Sequence, residues 1–543
     1  MLLRDPDGRP VQHTLVIAPQ ESLVLSPGAA AFALVSDQDG DEHHRIRVAV
    51  ATRSGAVEIV QDERPVSPRI RSFSDGFLWI RRNDAGRPWQ AVWWHRSLTT
   101  PHVLLEEPDQ ARRLDLRSVA GAIAVLASRG ARDSRYWVLT GEESSPPTCR
   151  RLDLGTENAD VSACRGGLAV LYRRHGVVRM TGSTRPLEVP VPKALQAEHL
   201  QEAQGELFVL GRSSGRRAVW LPGGGADALW LAPAAGTLVP AVDPITRHPI
   251  MLVSSPAHRA HCVTPVPGKA LATEVTERMK VTSLTAPSRD GTLVPLTLMT
   301  PDGADSCPVV VHVYGAYGIS LEGPFDPFTD DLLARGAAIA YCHVRGGGEN
   351  GPEWHRQATG LGRERPIEDL LACLALLREL PGIDSHRLLL TAASAGALVA
   401  ATVCLRRPAE LRGLHLVHPF LDPVGALDDR SAAAAASDRE EFGDPDWILA
   451  SGLSPLATIA IMVGRSRPLP RAWIRAGLRD ARVDASAIAE FASAYRAVAE
   501  RDDPAHVVLR ATSGGHLSGL TPEESHQENV LAHAWTLDLL GLA

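Results

Sequence analysis

The sequence lacks the long apolar runs that membrane proteins carry. Nowhere among its 543 residues do 18 consecutive apolar residues occur, so no helix is predicted to span a membrane. The N-terminal stretch, MLLRDPDGRPVQ, has no apolar core of the kind that a secretory signal needs. We therefore expect a cytoplasmic protein without a membrane partner.

Cysteine and lysine are also sparse, and neither forms a cluster. The 7 cysteines are widely spaced and make no C-x-x-C pair, which argues against a disulfide framework or a zinc knuckle and favours reduced thiols. No H-E-x-x-H motif occurs, so neither a metal nor another cofactor is predicted. Lysine occurs only at positions 193, 269 and 280, and the net charge of -7 argues against a broad nucleic-acid-binding surface.

The chain divides into two parts with different sequence patterns. Up to about residue 275, short apolar or alternating runs recur between clusters of Gly, Asp, Ser and Pro, without a helical period. Many short strands at regular spacing predict a sandwich, barrel or propeller, and a length above ~200 residues favours a propeller. This part is short for seven full blades, and no repeat signature sets the number of blades.

Beyond about residue 281, strand-like runs alternate with helical ones, which is typical of a mostly parallel sheet covered by helices. Residues 309–313 and 337–344 are expected to form buried strands, and residues 366–380 a helix with leucines at helical spacing. We predict a β-propeller-like domain over residues 1–275 and a doubly wound α/β-hydrolase domain over residues 276–543.

A candidate nucleophile lies in the run LLLTAASAGALVAA, where Ser394 stands between a predicted buried strand and a helix of small residues. This is the setting of a nucleophile elbow, a sharp turn that lifts a serine hydroxyl above the edge of the sheet. A serine that caps a helix after a strand gives a similar pattern, so the segment alone leaves both interpretations open.

Two further residues fit the chain order of an α/β-hydrolase, in which an acid and then a histidine follow later strands. Asp480 follows a strand-like run in GLRDARV, and His516 follows another on the glycine-rich loop SGGHLSG. We predict that Ser394, Asp480 and His516 form a catalytic triad. His516 would take the Ser394 proton during attack and return it to the leaving amine, while Asp480 holds the imidazole tautomer.

Several segments, in their order along the chain, resemble the prolyl oligopeptidase family and, within it, somewhat more closely oligopeptidase B. PSRDGTLVPLTLMTP resembles the start of the family's hydrolase domain, VYGAYGIS its oxyanion loop, and HVRGGGENGPEWH its Arg-Gly-Gly-Gly-Glu loop. ASAGA, EEFGDP, GLRDARV and SGGH follow, and QAVWWHRSLTTPHVLLEE resembles a propeller blade. The resemblance covers the chain from about residue 25 and is strongest over residues 281–543.

The resemblance implies roles for residues around the triad. Tyr314 aligns with a tyrosine whose hydroxyl helps to form the oxyanion hole, and the backbone N–H of Ala395 would be the second donor. Tyr317 aligns with an aromatic wall of the pocket for the residue before the cut. Arg482 aligns with an arginine that holds a substrate carbonyl, although an exposed loop arginine is the alternative interpretation.

The resemblance leaves two specificities open. SDREEFGDP supplies Asp438, Glu440 and Glu441 near the positions where oligopeptidase B recognises a basic residue, although a solvated acidic turn would give the same pattern. Trp447 lies near the tryptophan of a proline pocket but about two residues out of register.

The function implied is a serine peptidase that cuts short peptides after a basic or prolyl residue, with the propeller as a size filter. An esterase, a leader-peptide protease or a peptide macrocyclase would use the same triad. A catalytically inactive propeller–hydrolase binding protein is the non-enzyme alternative. Two departures from the family pattern bear on this expectation. Ala392 and Ala397 stand where the family has glycines, and almost all of its long N-terminal segment is absent. Nothing in the sequence indicates the oligomeric state.

Overall fold

A computed structural model describes most of the chain. The described residues are 2–4, 10–12, 21–26, 31–37, 42–51, 57–84, 86–95, 98, 100–130, 133–141, 145–155, 158–182, 187–243, 245–269, 279–303, 306–429, 438–499, 506–517 and 519–543. No helix within these ranges is long and apolar enough to cross a lipid bilayer.

The first part of the chain folds into consecutive antiparallel sheets. Among the described residues, five sheets have four strands and a sixth has three, and each sheet uses strands that are adjacent in sequence. The first three comprise strands Glu21–Leu25, Ala31–Ser36, Arg45–Ala51 and Val57–Gln61; Arg71–Phe73, Gly76–Arg82, Pro88–Trp94 and His102–Glu106; and Arg113–Ala120, Ile123–Arg129, Ser134–Thr140 and Thr148–Arg151.

The remaining sheets follow the same plan. They comprise strands Ala159–Cys164, Gly167–Tyr172, Val177–Met180 and Leu187–Pro190; Gln196–Ala203, Glu206–Ser213, Arg216–Trp220 and Leu229–Leu231; and Thr237–Val242, Pro249–Ser255 and His258–Val263. A two-stranded sheet of Leu2–Arg4 and Pro10–Gln12 precedes all of them, and a 3-10 turn lies at Ala226–Ala228. Radial repetition of such sheets is the architecture of a β-propeller, which confirms the predicted fold class of this part.

The packing between these sheets follows from the alternation of side chains between the two faces of each strand. Trp79, Trp93 and Trp94 of the second sheet are each 1% exposed. Trp79 and Trp94 pack in a cluster with residues of the first sheet, whereas Trp93 packs in a cluster with Leu114 and Leu116 of the third. Because successive side chains of a strand point to opposite faces, neighbouring tryptophans fill two different inter-sheet layers. The large aromatic side chains therefore stabilise the stacking of one sheet on the next.

The second part of the chain is built on one sheet of eight strands. In spatial order these are Met279–Pro287, Leu293–Pro301, Ala338–Cys342, Cys307–Val313, Ile383–Ala393, Gly413–Val417, Arg471–Gly477 and Val507–Thr512. The first two strands pair antiparallel and the second joins the third antiparallel, while the others are parallel. This is the predicted α/β-hydrolase domain, and its antiparallel first strands were not anticipated.

Helices cover both faces of this sheet. The α-helices are Pro327–Ala334, Pro352–Arg356, Arg365–Glu379, Gly396–Arg406, Pro423–Asp429, Pro445–Ala450, Pro455–Ala460, Ala485–Val498 and Pro522–Leu540, with 3-10 turns at Gly360–Gly362 and Pro408–Glu410. Helix Arg365–Glu379 has a proline in its first turn, where a missing N–H costs nothing, and buries Ile367, Leu370, Leu374 and Leu377 on one face. This helix lies where the leucine spacing predicted one.

The boundary proposed between the domains, at residues 275 and 276, lies outside the described residues. On either side of it, the last propeller strand ends at Val263 and the first hydrolase strand begins at Met279. The two parts are in contact elsewhere. Arg212 Nη1 and Arg217 Nε of the propeller lie 2.7 Å and 2.9 Å from the two carboxylate oxygens of Glu322 in the hydrolase domain. Since Arg212 and Glu322 are buried, this ion pair is part of a closed inter-domain contact.

Buried histidines predict a loss of stability in acid. Burial lowers the pKa of His199 and His312 to about 4 and that of His415 to about 3. Because an unfolded histidine titrates near pH ~6.5, the unfolded chain takes up protons before the native chain does as the pH falls below that value. We expect the free energy of unfolding to fall by about 1 kcal/mol per buried histidine per pH unit between pH ~6.5 and ~4.

Urea unfolding monitored at pH 7, 6 and 5 checks this expectation. A His415→Asn variant is expected to take up about one proton less on unfolding in acid. The free energy of unfolding should therefore change less steeply with pH in the variant than in the wild type. An unchanged slope in that variant would contradict the assignment.

Candidate active site

Ser394 occupies a strained turn between strand Ile383–Ala393 and helix Gly396–Arg406. Its φ of 51° lies in the left-handed region, which a residue with a side chain rarely adopts. The turn is held because the Ser394 N–H donates to the Val417 carbonyl at 3.0 Å and the Ser394 carbonyl accepts from the Phe420 N–H at 3.0 Å. A nucleophile elbow has this geometry.

The small residues around the elbow explain how the helix can start so close to the strands. A Cβ on Gly396 would lie 2.9 Å from the Tyr314 Cα and from the Val313 carbonyl oxygen, so only glycine fits there. Ala392 and Ala397, which stand where the family pattern has glycines, are both buried. The turn thus accommodates a methyl group at each of these positions.

The three residues of the predicted triad lie together. His516 Nε2 is 2.9 Å from Ser394 Oγ, and His516 Nδ1 is 2.7 Å from Asp480 Oδ2. Asp480 Oδ1 accepts from the backbone N–H groups of Arg482 and Val483 at 2.8 Å and 2.9 Å, which fixes the carboxylate from its other side. In this geometry the imidazole can remove a proton from the serine hydroxyl while the carboxylate balances the resulting charge.

The electrostatics of Asp480 keep it ionised. Burial by itself would raise the pKa of this carboxyl, but interactions with His418 and His516 and the hydrogen bond from the Arg482 N–H outweigh it and lower the pKa. The loops that carry Asp480 and His516 can approach each other closely because Gly477, which has no side chain, lies between them. A Cβ on Gly477 would meet the carbonyl oxygens of Gly514 and Gly515 at 2.7 Å and 2.8 Å.

His418 is a neighbour of the triad that the sequence did not single out. It is buried with a φ of 45°, and its Nδ1 lies 3.6 Å from Asp480 Oδ2, too far for a strong hydrogen bond. Its ring centroid is 5.7 Å from that of His516. Asp480 thus lies between two imidazoles. The signal that could have found His418 was its position at the end of the strand next to the nucleophile strand, where α/β folds place functional residues.

Tyr314 and Ala395, the predicted oxyanion-hole residues, line the same cavity as Ser394. Burial raises the pKa of the Tyr314 hydroxyl, and a hydrogen bond with Ser394 partly opposes that shift. The hydroxyl is therefore neutral at neutral pH and able to donate. Ala395 directly precedes helix Gly396–Arg406, where backbone N–H groups have no intrahelical acceptor.

Tyr317 forms part of a cluster with acidic residues of the segment 438–441. Its backbone has a φ of 54°, and hydrogen bonds from its backbone N–H and from its hydroxyl hold this conformation. The Tyr317 N–H donates to Glu441 Oε1 at 2.8 Å, and the Tyr317 hydroxyl donates to Asp438 Oδ1 at 2.9 Å. Asp438 and Tyr317 line the same cavity as Ser394, so a carboxylate and an aromatic side chain in contact with each other share that cavity with the candidate nucleophile.

The three acidic residues of this segment have different surroundings. Asp438 is 5% exposed and lines the cavity. Glu441 is 3% exposed, but its carboxylate already contacts His355 Nε2 at 2.7 Å and Arg363 Nη1 at 3.3 Å. Glu440 is half-buried and is not among the residues that line the cavity. The structure thus brings Asp438 to the site and leaves Glu440 outside it.

Trp447 and Arg482 are placed differently from each other. Trp447 packs against the hydrolase core, with its ring next to Gly443, and is not among the cavity-lining residues. Arg482 does line the cavity, but its guanidinium reaches the propeller, where Nε lies 2.6 Å from Glu42 Oε1. The side chain that was expected to hold a substrate carbonyl therefore bridges the two domains.

An ionic cluster around the buried Arg345 holds the Arg-Gly-Gly-Gly-Glu loop, residues 345–349. Arg345, which is 1% exposed, donates from Nη2 to Asp369 Oδ1 at 2.6 Å and from Nη1 to Asp290 Oδ2 at 2.5 Å. The next residue, Gly346, approaches Gly315 so closely that a Cβ would lie 2.2 Å from its carbonyl oxygen. The Arg345 cluster therefore positions the loop against the segment that carries Tyr314 and Tyr317.

Comparison with known proteins agrees with this architecture. Residues 325–542 match the prolyl oligopeptidase family. This part of the chain belongs to that family. The prolyl oligopeptidase match includes Ser394, Asp480 and His516 but not Tyr314 or Tyr317, which precede it.

The curated relatives match this chain over less than half of their own length. Prolyl endopeptidase-like from Gallus gallus is 38% identical over 167 residues, which is 30% of this chain and 23% of that protein. The solved oligopeptidase B from Trypanosoma brucei with covalently bound antipain gives a TM-score of 0.79 at 21% identity, covering 96% of this chain and 79% of that chain. Prolyl oligopeptidase B from Galerina marginata, bound to a 35mer hydrolysis and macrocyclization substrate, gives 0.76 at 15% identity, covering 96% and 80%.

Proposed function

We propose that the chain is a serine peptidase that hydrolyses short peptides through an acyl-enzyme on Ser394. The observation that carries this proposal is the continuous hydrogen-bonded series Ser394–His516–Asp480, with separations of 2.9 Å and 2.7 Å, at the edge of a cavity. The cavity, of about 1130 Å³, is lined by residues of both the propeller and the hydrolase domain. An extended peptide fits such a space, whereas a folded protein does not.

The proposed reaction proceeds in two acyl transfers. Ser394 Oγ attacks the scissile carbonyl as its proton passes to His516 Nε2, and Asp480 stabilises the imidazolium through Nδ1. The oxyanion accepts hydrogen bonds from the Tyr314 hydroxyl and the Ala395 N–H. His516 then protonates the leaving amine, the C–N bond breaks, and the acyl-enzyme forms. Water, deprotonated by His516, attacks the ester and releases the second product.

Tyr314→Phe tests the oxyanion role. The variant removes one donor to a charge that exists only in the tetrahedral intermediate, so we expect kcat to fall about 10²-fold or more with KM almost unchanged. Steady-state kinetics on a fluorogenic peptide measure both constants. A rise in KM at constant kcat would instead assign Tyr314 to substrate binding.

Two specificities remain within the proposal, cleavage after a basic residue and cleavage after proline. Asp438 favours the basic residue, because a buried carboxylate in the cavity is suited to a charge-assisted hydrogen bond with a guanidinium or an ammonium group. Glu441 cannot serve in the same way, since His355 and Arg363 already bind it. Trp447 is not among the cavity-lining residues, which weakens the argument for a prolyl pocket.

Asp438→Asn is expected to lower kcat/KM for a peptide with arginine before the reporter by about 10- to 100-fold, because one charge-assisted interaction is lost. Cleavage of a matched peptide with proline at that position is expected to change little. Glu440→Gln is the matched control, since it removes one charge of the same segment outside the cavity. Equal losses in the two variants would mean that only the net charge of the segment matters.

Two matched fluorogenic substrates, with arginine or proline before the reporter, test the activity itself. Cleavage of either one by the wild-type chain supports a peptidase and ranks the two specificities. Reaction of Ser394 with a fluorophosphonate in the absence of any cleavage would move the proposal to an esterase or another specialised hydrolase. A product in which a peptide amine, rather than water, has captured the acyl group would indicate a macrocyclase. Failure of the label to react would leave a binding protein.

A further inference from the structure

The cavity beside Ser394 has walls of opposite charge. The hydrolase domain contributes four carboxylates, and the propeller contributes three arginines on the facing wall. The carboxylates are Asp422, Asp438, Asp480 and Asp484, and the arginines, which we call the arginine wall, are Arg82, Arg87 and Arg113. A cavity with low-dielectric sides concentrates the field of such charges, so their arrangement selects among charged ligands.

The guanidinium group of Arg82 is held by an uncharged acceptor. Its Nη1 donates to the Glu42 carbonyl at 2.9 Å, and its Nε is buried without a hydrogen-bond partner among the described residues. Burial lowers the pKa of Arg82, and the charges of Arg482 and Arg113 act in the same direction, whereas the carboxylates of Glu42 and Asp37 oppose them. The backbone carbonyl fixes the guanidinium of Arg82 in place but does not cancel its charge.

Arg87 is held in a similar way. Its guanidinium donates to the backbone carbonyls of Glu107, Asp109 and Arg112 at 2.9 to 3.2 Å. Carbonyl groups fix the orientation of a guanidinium but do not cancel its charge. The side chain is thus a fixed positive group of the propeller, buried in the wall of the cavity.

Arg113 is the exposed member of the arginine wall. It begins strand Arg113–Ala120 and lies opposite Arg129 on the next strand. The propeller wall also carries two carboxylates, of which Glu42 binds Arg482 across the cavity. Asp84 is the other. On the propeller side of the cavity, three arginines are therefore accompanied by only one carboxylate, Asp84, that does not pair with Arg482.

We propose that the arginine wall recognises an acidic side chain of the substrate peptide while the residue before the cut lies beside Asp438. This inference rests on the proposed function and adds a second determinant to it. A peptide that carries a basic and an acidic residue would match the two walls at once. A peptide with two basic residues would face like charge at the propeller, which is unfavourable in a partly enclosed site.

Binding of short peptides to the Ser394→Ala chain tests this directly. The peptides are acetylated at the N-terminus and amidated at the C-terminus, and they carry a neutral coumarin label. Each has arginine at one fixed position. Every other position is occupied in turn by Glu, Gln or Lys. We expect fluorescence anisotropy to give about 10-fold tighter binding with Glu than with Lys at one or more positions. The difference is expected to shrink at about 0.5 M NaCl, because the salt screens charges beyond a few Å.

Substitutions locate the effect. Arg113→Gln, made in the Ser394→Ala chain, is expected to remove most of the difference between Glu and Lys. The variant is expected to fold, because the Arg113 side chain is exposed. Arg129→Gln is the matched control, since Arg129 neighbours Arg113 but pairs with Asp115 and is not among the cavity-lining residues. Arg82→Gln provides a second variant of the arginine wall.

The outcomes separate this inference from the proposed function. Equal binding of the Glu, Gln and Lys peptides, or a preference that survives both Arg113→Gln and Arg82→Gln, overturns the acidic subsite. Absence of binding by any peptide overturns it as well. Cleavage by the wild-type chain is scored separately. Cleavage without a charge preference removes only the subsite, whereas a charge preference without cleavage removes the peptidase and leaves the subsite.

Discussion

Replacing Ser394 by alanine is expected to lower kcat for peptide hydrolysis by about 10⁴-fold or more, because the acyl-enzyme can no longer form. The remaining groups of the site, Tyr314 and the Ala395 N–H among them, would still bind the carbonyl, so KM is expected to change much less. The alanine also removes the Ser394 hydroxyl, whose Oγ lies 2.9 Å from His516 Nε2, so the imidazole has no serine proton to accept. Steady-state kinetics on the preferred fluorogenic peptide and fluorophosphonate labelling measure the two losses independently.

Ser493→Ala is the matched control for this variant. Ser493 is exposed on helix Ala485–Val498 of the same domain, where alanine is a good helix former, so activity and labelling are expected to stay at the wild-type level. Activity that persists in Ser394→Ala at more than about a hundredth of wild type would exclude an acyl-enzyme on this serine.

Replacing Asp369 by alanine is expected to cost about 3–5 kcal/mol of unfolding free energy, because it leaves a buried arginine without its main partner. Asp369 is fully buried and accepts from Arg345 Nη2, Arg345 Nε and the Ser288 hydroxyl at 2.6, 2.9 and 2.6 Å. Asp290, the other carboxylate on Arg345, is substantially exposed and cannot replace it from inside the protein. Urea unfolding of the wild type and the variant at neutral pH gives the difference.

Asp384→Ala is the control for this second prediction. Asp384 pairs with Arg387 at 2.6 Å, but both side chains are partly exposed, and such a pair contributes about 1 kcal/mol or less. A similar small loss in Asp369→Ala would contradict the view that the Arg345 cluster positions the Arg-Gly-Gly-Gly-Glu loop of residues 345–349. In a chain that still folds, a displaced loop is also expected to lower activity, because Tyr314 and Tyr317 lie on the segment it contacts.

Much of the fold could be predicted from local sequence patterns. The alternation of apolar residues in the first part and the strand–helix alternation in the second reflect which faces are buried, and burial decides both architectures. The chain order of serine, acid and histidine likewise follows from the order of parallel strands, whose carboxyl ends meet at one edge of the sheet. The role of Ser394, Asp480 and His516 in catalysis stays a prediction that the kinetics above would test.

The surroundings of individual side chains could not be predicted in this way. Asp438 and Glu440 are two residues apart in an acidic run, and only the packing of the short segment decides that one lines the cavity and the other does not. Arg482 was expected to face a substrate, but its partner, Glu42, comes from the other domain and is remote in sequence. Contacts between domains depend on tertiary packing, which residue spacing does not encode.

The left-handed backbone at Ser394, Tyr317 and His418 creates a conflict between the stability of the chain and its proposed activity. Their φ values of 51°, 54° and 45° each cost about 1–2 kcal/mol relative to a glycine at the same position. Glycine at these positions would relieve this strain and so favour resistance to heat, while removing the Ser394 hydroxyl and the Tyr317 ring from the cavity and the His418 imidazole from beside Asp480. A screen for thermal resistance alone is expected to enrich glycine at these three positions, and a screen for turnover is expected to reject it.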